Sequence, residues 1–323
     1  MATRKTLITI MAIGGIGAAL AACGGSSRDG GTSASTAANA DTSLSGSIVI
    51  DGSSTVAPLA TLTAEKFHAT APNVNVTVGT SGTGGGFEKF CNGETDVSDA
   101  SRAIKDEEKA ICDEKKVTFK ELLVANDGIA IVVNKDNTWA SCLTTDQLAT
   151  IWGPDSKATS WKDVDPSFPD EALKLYGPGT DSGTFDFFTK AVNGEEGASR
   201  TDFSPSEDDN VTIKGVEGEK GGLGYFGLSY YEQNKDALNL VAIDGGSGCV
   251  KPDTTTVQDG TYAPLSRPLF MYVSDTAATR PEVKAFVDFY VANEQTLTAD
   301  ALFVPLSPEQ AATMKTEAAA LAG

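Results

Sequence analysis

Three stretches of this sequence share one pattern: a short apolar run leads into a turn crowded with glycine and hydroxyl side chains, and a helix follows. The turns are Gly52–Thr55, Gly79–Gly86 and Gly177–Thr184. The first backbone N–H groups of a helix have no partner within the helix, and the helix dipole favours negative charge there. One such junction is equally well explained by an ordinary Ser or Thr cap. Three of them predict a site where helix N-termini converge on one tetrahedral oxyanion.

The third junction contains a clear change of periodicity. Phe185, Phe188 and Val192 fall at i, i+3 and i+7, which is one face of a helix. The turn before them is rigid and rich in Gly and Pro. Residues 182–184 are therefore predicted to form the N-terminus of that helix, with two hydroxyls and several unpaired N–H donors.

The N-terminus has the pattern of an export signal. Residues 1–22 combine two basic residues with an apolar stretch that is too short and too rich in Gly and Ala for a membrane span. The stretch ends in Leu20-Ala-Ala-Cys23, which resembles a bacterial lipobox and predicts lipidation of Cys23. Residues 23–45 are then a lipidated N-terminus followed by a flexible tether of about 25 Å root-mean-square length. The expected location is extracytoplasmic, anchored to the bacterial cell membrane.

Composition limits the partners. The net charge is −19 and no basic stripe is visible, so nucleic-acid binding is not expected. This negative charge is compatible with an anionic ligand, because salt screens charges beyond about 8–10 Å and local donors then decide affinity. His68 is the only histidine, expected at the surface of a helix over residues 56–70. We therefore predict no metal site and no cofactor.

The order of elements indicates an α/β fold. Strand and helix patterns alternate from residue 46 to about residue 110, which predicts a parallel sheet. Phe119–Val124 and Ile129–Asn134 are apolar runs, and the second is continuous and typical of a buried strand, as is Leu269–Val273. Pro281–Glu294 has the pattern of an amphipathic helix that begins at its proline.

Seven motifs give the chain a family resemblance. Over roughly residues 46–310 it resembles the substrate-binding proteins of phosphate-specific ABC transporters, with the motifs in that family's order. The motifs are Gly52-Ser-Ser-Thr-Val-Ala-Pro, Ser81-Gly-Thr-Gly-Gly-Gly-Phe, Asp96-Val-Ser-Asp-Ala-Ser-Arg, Asp127-Gly-Ile-Ala-Ile-Val-Val-Asn, Gly179-Thr-Asp-Ser-Gly-Thr-Phe, Gly224-Tyr-Phe-Gly and Leu265-Ser-Arg-Pro-Leu-Phe. Singly they are weak, and their specificity comes from the ordered set.

The resemblance implies a fold and a function. The fold is α/β, the two-lobed periplasmic-binding-protein type II fold, with a mixed, mostly parallel sheet flanked by helices in each lobe and crossing strands between the lobes. Lobe 1 is expected over residues 46–125 plus 262–323, and lobe 2 over residues 126–261. The implied function is extracytoplasmic high-affinity capture of inorganic phosphate and its delivery to an ABC permease by a monomer. The alternatives are a binding protein for another oxyanion, such as sulfate or molybdate, and a non-transport surface protein of the same fold.

The resemblance also implies a pairing of cysteines. Besides Cys23 there are four, and an even set in an exported protein indicates disulfides. Three pairings are possible. Cys91–Cys112 and Cys142–Cys249 are favoured, because each pair then stays within one lobe and leaves the cleft free to close.

The ligand positions of the family carry over to hydroxyl-bearing residues, helix N-terminal residues, one arginine and one aspartate. They are Ser54, Thr55, Ser81, Thr83, Ser101, Arg102, Asp181, Ser182, Gly183 and Thr184. Arg102 is the expected charge partner, since a planar guanidinium can hold two phosphate oxygens. The alternative for Arg102 is a salt bridge at the rim.

The chain departs from the family pattern at two positions. The family has an Arg just before the second-lobe Ser-Gly-Thr, where this chain has Pro178-Gly-Thr-Asp. The family also has an Asp that accepts a proton from phosphate, where this chain has Ser101. Asp99, Asp51 or Asp181 is expected to supply that carboxylate, and the sequence does not choose among them. Such a carboxylate favours phosphate over sulfate, which has no proton to share near neutral pH.

Catalysis is not expected. Asp181-Ser-Gly-Thr matches the aspartic-protease signature, but that chemistry needs a second Asp of the same kind to share a proton. The chain has no second Asp-Ser/Thr-Gly, and a Phe-rich helix follows the first. It also lacks a Gly-x-Ser-x-Gly elbow and a Gly-Lys-Ser/Thr phosphate loop.

Overall fold

The computed structural model describes residues 41–322 except Asp181 and residue 207. The predicted signal peptide, Cys23 and most of the tether therefore lie outside the described residues, as does the candidate ligand Asp181. The strands are β1 (Ser45–Gly52), β2 (Asn73–Gly79), β3 (Val97–Ala100), β4 (Phe119–Asn134), β5 (Cys142–Thr144), β6 (Lys174–Pro178), β7 (Ser204–Ser206), β8 (Gly222–Gly227), β9 (Leu238–Leu240), β10 (Ala242–Asp244), β11 (Cys249–Val250) and β12 (Ser266–Ser274).

Helices alternate with these strands, as the pattern predicts. They are α1 (Ala57–Thr70), α2 (Gly82–Cys91), α3 (Asp106–Lys115), α4 (Thr145–Trp152), α5 (Trp161–Val164), α6 (Gly183–Asn193), α7 (Asp209–Gly218), α8 (Leu228–Asn234), α9 (Thr254–Gln258), α10 (Asp275–Ala278), α11 (Pro281–Asp300) and α12 (Pro308–Ala319), with a 3₁₀ turn at Ala320–Ala322. No helix in this part of the chain combines the length and apolar character needed to cross a bilayer.

Most strands join one mixed sheet in the order β2-β1-β3-β12-β4-β8-β6-β7, with β9 beside β4. The parallel pairs are β1–β2, β1–β3, β6–β7 and β6–β8, and β12 runs antiparallel to both of its neighbours. A small second sheet has the order β11-β10-β5. The predicted α/β class is confirmed, and the parallel pairing predicted for the first strands holds for β1, β2 and β3.

The strand β4 links the two halves of the large sheet. Phe119–Val124 and Ile129–Asn134, predicted as separate runs, belong to one strand of 16 residues. Its first half pairs with β12, and its second half pairs with β8 and β9. Every residue from Val124 to Asn134 is buried, which explains the continuous apolar run where a half-exposed strand would alternate.

Buried side chains form separate clusters on either side of the middle of β4. One cluster contains Trp152, Trp161 and Tyr225 and draws mainly on residues 129–265. Another contains Phe286 and Tyr290 and packs α1 and α11 against the other half of the sheet. A third, smaller cluster packs α2 and α3 on the opposite face of that half. The exact lobe boundaries stay a prediction.

Local features follow the sequence closely. The helix α11 begins at Pro281 as predicted, but it continues to Asp300 because Leu297 and Thr298 extend its buried face. His68 lies exposed on α1. The disulfides join Cys91 to Cys112 and Cys142 to Cys249, which confirms the predicted pairing. Each disulfide fastens two neighbouring elements, α2 to α3 and β5 to β11.

Candidate anion-binding site

The junctions after β1 and β2 and the loop after β3 meet at one edge of the sheet. These three strands are parallel neighbours, so their carboxyl ends, at Gly52, Gly79 and Ala100, lie side by side. The strand β12 runs the opposite way beside β3, so its amino end, near Arg267, lies at the same edge. Topology thus brings a residue from late in the chain to three loops from its beginning.

The junction before α6 approaches this edge from the other half of the sheet. The strand β8 is antiparallel to β4, with Gly227 opposite Ile129, and β6 is parallel to β8. The carboxyl end of β6 therefore points toward the middle of β4. The helix α6 begins at Gly183, with Ser182 as its N-cap, and Phe185, Phe188 and Val192 are buried as the periodicity predicts. The Ser182 hydroxyl accepts the N–H of Thr184 at 3.2 Å.

The N-terminus of α6 touches the turn after β1. The Thr55 hydroxyl donates to the Gly183 carbonyl at 3.4 Å. A Cβ at position 183 would lie 2.4 Å from Thr55 Oγ1 and 2.8 Å from Thr55 Cα, which is closer than atoms can approach. Glycine at this position therefore permits the two turns to meet, and the contact joins residues 128 positions apart in the chain.

Arg267 lies at this contact and connects three segments. Its Nη2 donates to Thr55 Oγ1 at 2.8 Å and to the Gly183 carbonyl at 3.3 Å. Its Nε donates to Asp127 Oδ2 of β4 at 3.2 Å. The guanidinium carbon lies 3.9 Å from the centre of the Phe187 ring, a close cation–π contact. One cation thus holds the first turn, the middle of β4 and the start of α6 together.

The charge of Arg267 is poorly solvated. Only 14% of its side chain is exposed. Burial lowers the pKa of Arg267, and the charge of Asp127 opposes that fall. A buried guanidinium with donors to spare gains strongly from a bound anion, because charge-assisted hydrogen bonds are stronger where water is excluded.

The second and third loops also meet. The hydroxyls of Thr83 and Ser101 lie 3.2 Å apart, and the Ser101 N–H donates to Thr83 Oγ1 at 3.2 Å. Thr83 belongs to the first turn of α2, so a hydroxyl pair stands at a helix N-terminus. In the turn after β1, Ser54 makes no side-chain hydrogen bond within the described chain and is half-buried.

Ser81 is engaged elsewhere. Its N–H and its hydroxyl both donate to Asp51 Oδ1, at 2.9 and 2.7 Å. The other oxygen of Asp51 accepts from Lys89 at 2.5 Å. Burial alone would raise the pKa of Asp51, but the hydrogen bonds from Lys89 and Ser81 outweigh it and lower the pKa. Asp51 therefore fixes the β2–α2 turn, and its oxygens are occupied.

Arg102 has a carboxylate partner of its own. Its Nη1 and Nη2 donate to the two oxygens of Glu108 at 2.8 and 2.7 Å, and Nη1 also donates to the Ala103 carbonyl at 3.1 Å. The Glu108 hydrogen bonds raise the pKa of Arg102. About a third of the Arg102 side chain, 34%, is exposed. This geometry is the rim salt bridge that the sequence leaves open as the alternative for Arg102.

Asp99 is the most buried carboxyl among the residues that the structure describes. It is 1% exposed on β3, and neither of its oxygens has a hydrogen-bond partner. Burial raises the pKa of Asp99 to about 7, and the charge of Asp51 adds to the rise. No group of three or more His, Cys, Asp or Glu side chains that could hold a metal ion occurs between residues 41 and 322, residues 181 and 207 aside.

Sequence reasoning missed Arg267. Its motif, Leu265-Ser-Arg-Pro-Leu-Phe, carries part of the family resemblance, but no role followed from the motif. The partners of Arg267 lie 84 to 212 residues away in the chain, so no local spacing reveals them. The sequence did contain one indication. The family has an arginine just before the second-lobe Ser-Gly-Thr, this chain has Pro178 there, and a cation for the site must therefore come from another segment.

The comparisons with known proteins agree with this architecture. Residues 33–294 match a family model described as a PBP superfamily domain. The chain is therefore a binding protein of the periplasmic-binding-protein class, and its fold is the two-lobed type II fold of the phosphate-binding structures it matches. It is 47% identical to protein SphX of Synechococcus elongatus over 273 residues, which cover 84% of this chain and 80% of that protein.

A second relative is named for its ligand. The chain is 41% identical to the phosphate-binding protein PstS of Staphylococcus haemolyticus over 293 residues, 90% of this chain and 89% of that protein. The chain belongs to the PstS family of substrate-binding proteins.

Solved structures extend the comparison. A possible phosphate-binding protein from Planctomyces limnophilus has a TM-score of 0.84 and 41% identity, over 87% of this chain and 100% of that chain. A putative phosphate ABC transporter substrate-binding protein from Clostridium perfringens, solved with bound phosphate, has a TM-score of 0.56 and 26% identity, over 81% of this chain and 100% of that chain.

Proposed function

We propose that this protein captures inorganic phosphate outside the cytoplasm and delivers it to an ABC permease. The observation that carries the proposal is the contact of Arg267 with Thr55 and Gly183, where a buried cation joins two helix-preceding turns from different halves of the sheet. Relatives named as phosphate-binding proteins support the choice of anion.

We propose that the anion binds between the two halves. The donors would be the N–H and hydroxyl groups of the three junctions and of the loop after β3, together with Arg267, which supplies the positive charge in place of Arg102. The hydroxyl and N–H donors are Ser54, Thr55, Thr83, Ser101, Ser182, Gly183 and Thr184. Ser81 supports the site through Asp51 without touching the ligand. Asp181 stays a candidate ligand by resemblance alone.

We further propose that capture proceeds by closure of two lobes without chemistry. Lobe 1 would comprise residues 46–125 and 262–323, lobe 2 residues 126–261, with crossings near Ala125 and Tyr262. The separate buried clusters on either side of the middle of β4 support this division. An anion shifts the balance between open and closed forms only through contacts to both lobes, and Arg267 with the Thr55–Gly183 contact provides them.

The proposal includes a location at the membrane surface and an ABC permease as the partner. The lipobox pattern before Cys23 supports lipid anchoring at the membrane, where a tether of about 25 Å would let a monomer reach a permease. The family comprises substrate-binding proteins of transporters, which supports delivery and not turnover. No metal or cofactor takes part in the proposed mechanism.

Calorimetry with phosphate and sulfate tests the proposal. We expect phosphate to bind and sulfate to bind roughly 10- to 150-fold more weakly. Asp181 is the remaining candidate for the carboxylate that accepts the phosphate proton, and facing sulfate without a shared proton would cost such a carboxylate about 1–3 kcal/mol. Equal affinity for the two anions would favour a general oxyanion-binding protein. Absence of binding to either anion would favour a surface protein that has kept the fold and lost the ligand.

A further inference from the structure

Asp99 occupies an unusual position for an acidic residue. It lies on β3 in register with Gly52 on one side and Met271 on the other. Alternation along the strand puts it on the same face as Val97, which is the face covered by α1. Gly52 presents no side chain toward it, and Met271 is apolar and buried. Both oxygens of Asp99 are therefore buried, and neither has a hydrogen-bond donor among the described residues.

This residue is directly attached to the proposed ligand turn. The Asp99 carbonyl accepts the Ser53 N–H at 2.9 Å, and the Ser53 carbonyl accepts the N–H groups of Val56 and Ala57 at 3.1 and 3.0 Å. A Cβ at Gly52 would lie 2.0 Å from the Asp99 carbonyl, so the two strands are in tight contact here. Any movement of Asp99 is therefore transmitted to the turn of residues 53–56.

Few charged groups act on this carboxyl. From β1 the only one is Asp51, a like charge whose own oxygens are held by Ser81 and Lys89. From α11 the ionisable group near Asp99 is the phenol of Tyr290, which donates to the Val124 carbonyl. The pKa of Tyr290 is raised by burial and, in part, by Asp99. The helix α1 has no ionisable residue before Glu65, and β12 faces Asp99 with Met271.

The two protonation states of Asp99 have different requirements. A neutral carboxylic acid can remain in an apolar core at modest cost, whereas a carboxylate there needs donors or a nearby cation. The neighbouring segment with unpaired N–H groups is the turn after Gly52, whose Ser54 and Thr55 carry donors assigned above to the anion. An ionised Asp99 would draw on those donors and displace the turn.

We propose that Asp99 is a proton-carrying positioning residue, which holds the turn of residues 53–56 ready for the anion while it is neutral and releases the turn when it ionises. This inference rests on the proposed function, because it concerns the affinity of the same site. Phosphate then binds more weakly in alkaline solution because Asp99 ionises, and not because phosphate itself loses a proton.

Calorimetric titration with phosphate from pH 6 to pH 9 tests the proposal with Asp99→Asn, which keeps the shape of the neutral acid. Both proteins meet the same ionic forms of phosphate, so the ratio of their Kd values cancels the titration of the ligand. With the pKa of Asp99 near 7, the wild type should lose about tenfold in affinity relative to Asp99→Asn at pH 8 and about 100-fold at pH 9. The two proteins should bind alike at pH 6.

Controls separate this mechanism from a change in stability. Asp163→Asn removes an exposed carboxylate remote from the site and should reproduce the wild-type profile. Asp99→Ser is a second neutral variant, to be used if Asp99→Asn does not fold. Parallel profiles for the wild type and the neutral variant would overturn the inference, even if the pH dependence of unfolding changed. Absence of phosphate binding by both proteins at every pH would overturn the proposed function and this inference with it.

Discussion

The two arginines at the edge of the sheet differ in what holds them. Arg102 pairs with Glu108, a residue six positions further along the chain, and a third of its side chain is exposed. Arg267 pairs with Asp127 from 140 positions away, stacks on Phe187 and is largely buried. The first forms a local pair within one loop and the helix that follows it. The second draws its partners from three distant segments.

This difference separates a structural cation from a candidate functional one. The fork of Arg102 is filled by the two oxygens of one carboxylate, so an anion would have to compete with Glu108 for it. Arg267 donates to its carboxylate through Nε, and its Nη2 points to a hydroxyl and a carbonyl that belong to the proposed site. A neutral hydroxyl and a carbonyl are weaker acceptors than a phosphate oxygen. The more buried arginine is therefore the one with bonding capacity left for an anion.

The largest expected effect comes from Arg267→Ala. Removing the guanidinium deletes the charge at the proposed site and leaves Asp127 as a buried carboxylate without its partner. We expect phosphate affinity to fall about 100- to 1,000-fold, since hydrogen bonds to charged groups contribute about 1.5–3 kcal/mol each. Calorimetry measures the loss, with circular dichroism to verify folding. Arg267→Lys, which retains charge without the fork, should lose less.

The matched variant is Arg102→Ala. Because Glu108 already satisfies Arg102, we expect a change in phosphate affinity of less than about fivefold, in keeping with the small net contribution of partly exposed ion pairs. If Arg102→Ala instead caused the larger loss and Arg267→Ala the smaller, the comparison would be reversed, and the resemblance would have identified the correct arginine.

A smaller effect is expected from Gly183→Ala. The new Cβ would collide with Thr55, at 2.4 Å from its hydroxyl and 2.8 Å from its Cα, so the two turns could no longer meet beside Arg267. If closure needs this contact, phosphate affinity should fall about 10- to 100-fold, with faster release measured by stopped flow. The fold of each half should be unaffected, since Gly183 is the first residue of its helix.

Gly218→Ala provides the control for a glycine substitution in a helix. Gly218 is the last residue of α7, and a Cβ there would meet nothing within 4 Å. Phosphate binding should equal that of the wild type, with a slight gain in stability from higher helix propensity. Wild-type affinity in Gly183→Ala would mean that the Thr55–Gly183 contact plays no part in the bound state.

Local patterns predicted most of the elements. Phe185, Phe188 and Val192 are enough to define the face of α6, because helical periodicity is a property of neighbouring residues. The two apolar runs within Phe119–Asn134 did not reveal a single strand, because polar Asn126 and Asp127 lie between them and only their place in the middle of the sheet keeps them within a strand. Two of the hydroxyl-rich turns do meet, through Thr55 and Gly183; the convergence of all three on one anion stays a prediction.

The role of Arg267 could not be predicted in the same way. Its contacts depend on the antiparallel insertion of β12 between β3 and β4, which places the end of a late loop beside the first turn of the chain. Strand order in a sheet is set by tertiary packing and not by the pattern of one segment. Ser81 illustrates the same limit, since its hydroxyl resembles a ligand until Asp51 is seen to occupy it.

The smallest expected effect is on the free energy of unfolding and tests whether the ion pair between Arg102 and Glu108 is structural. Burial alone would raise the pKa of Glu108, but the hydrogen bonds from Arg102 and from the Lys105 N–H outweigh it and lower the pKa from 4.5. The pair therefore stabilises the fold above pH 4.5, and this contribution is lost as the pH falls through the lowered pKa. Glu108→Gln, which keeps the capping oxygen at this position of α3, should cost about 0.5–1 kcal/mol in urea unfolding at pH 7. The difference from the wild type should shrink as the pH falls below 4.5 and Glu108 becomes protonated. Glu309→Gln, on the first turn of α12 and without an ion pair, should show no difference at either pH; an equal cost in both variants would mean that the Arg102 pair contributes nothing.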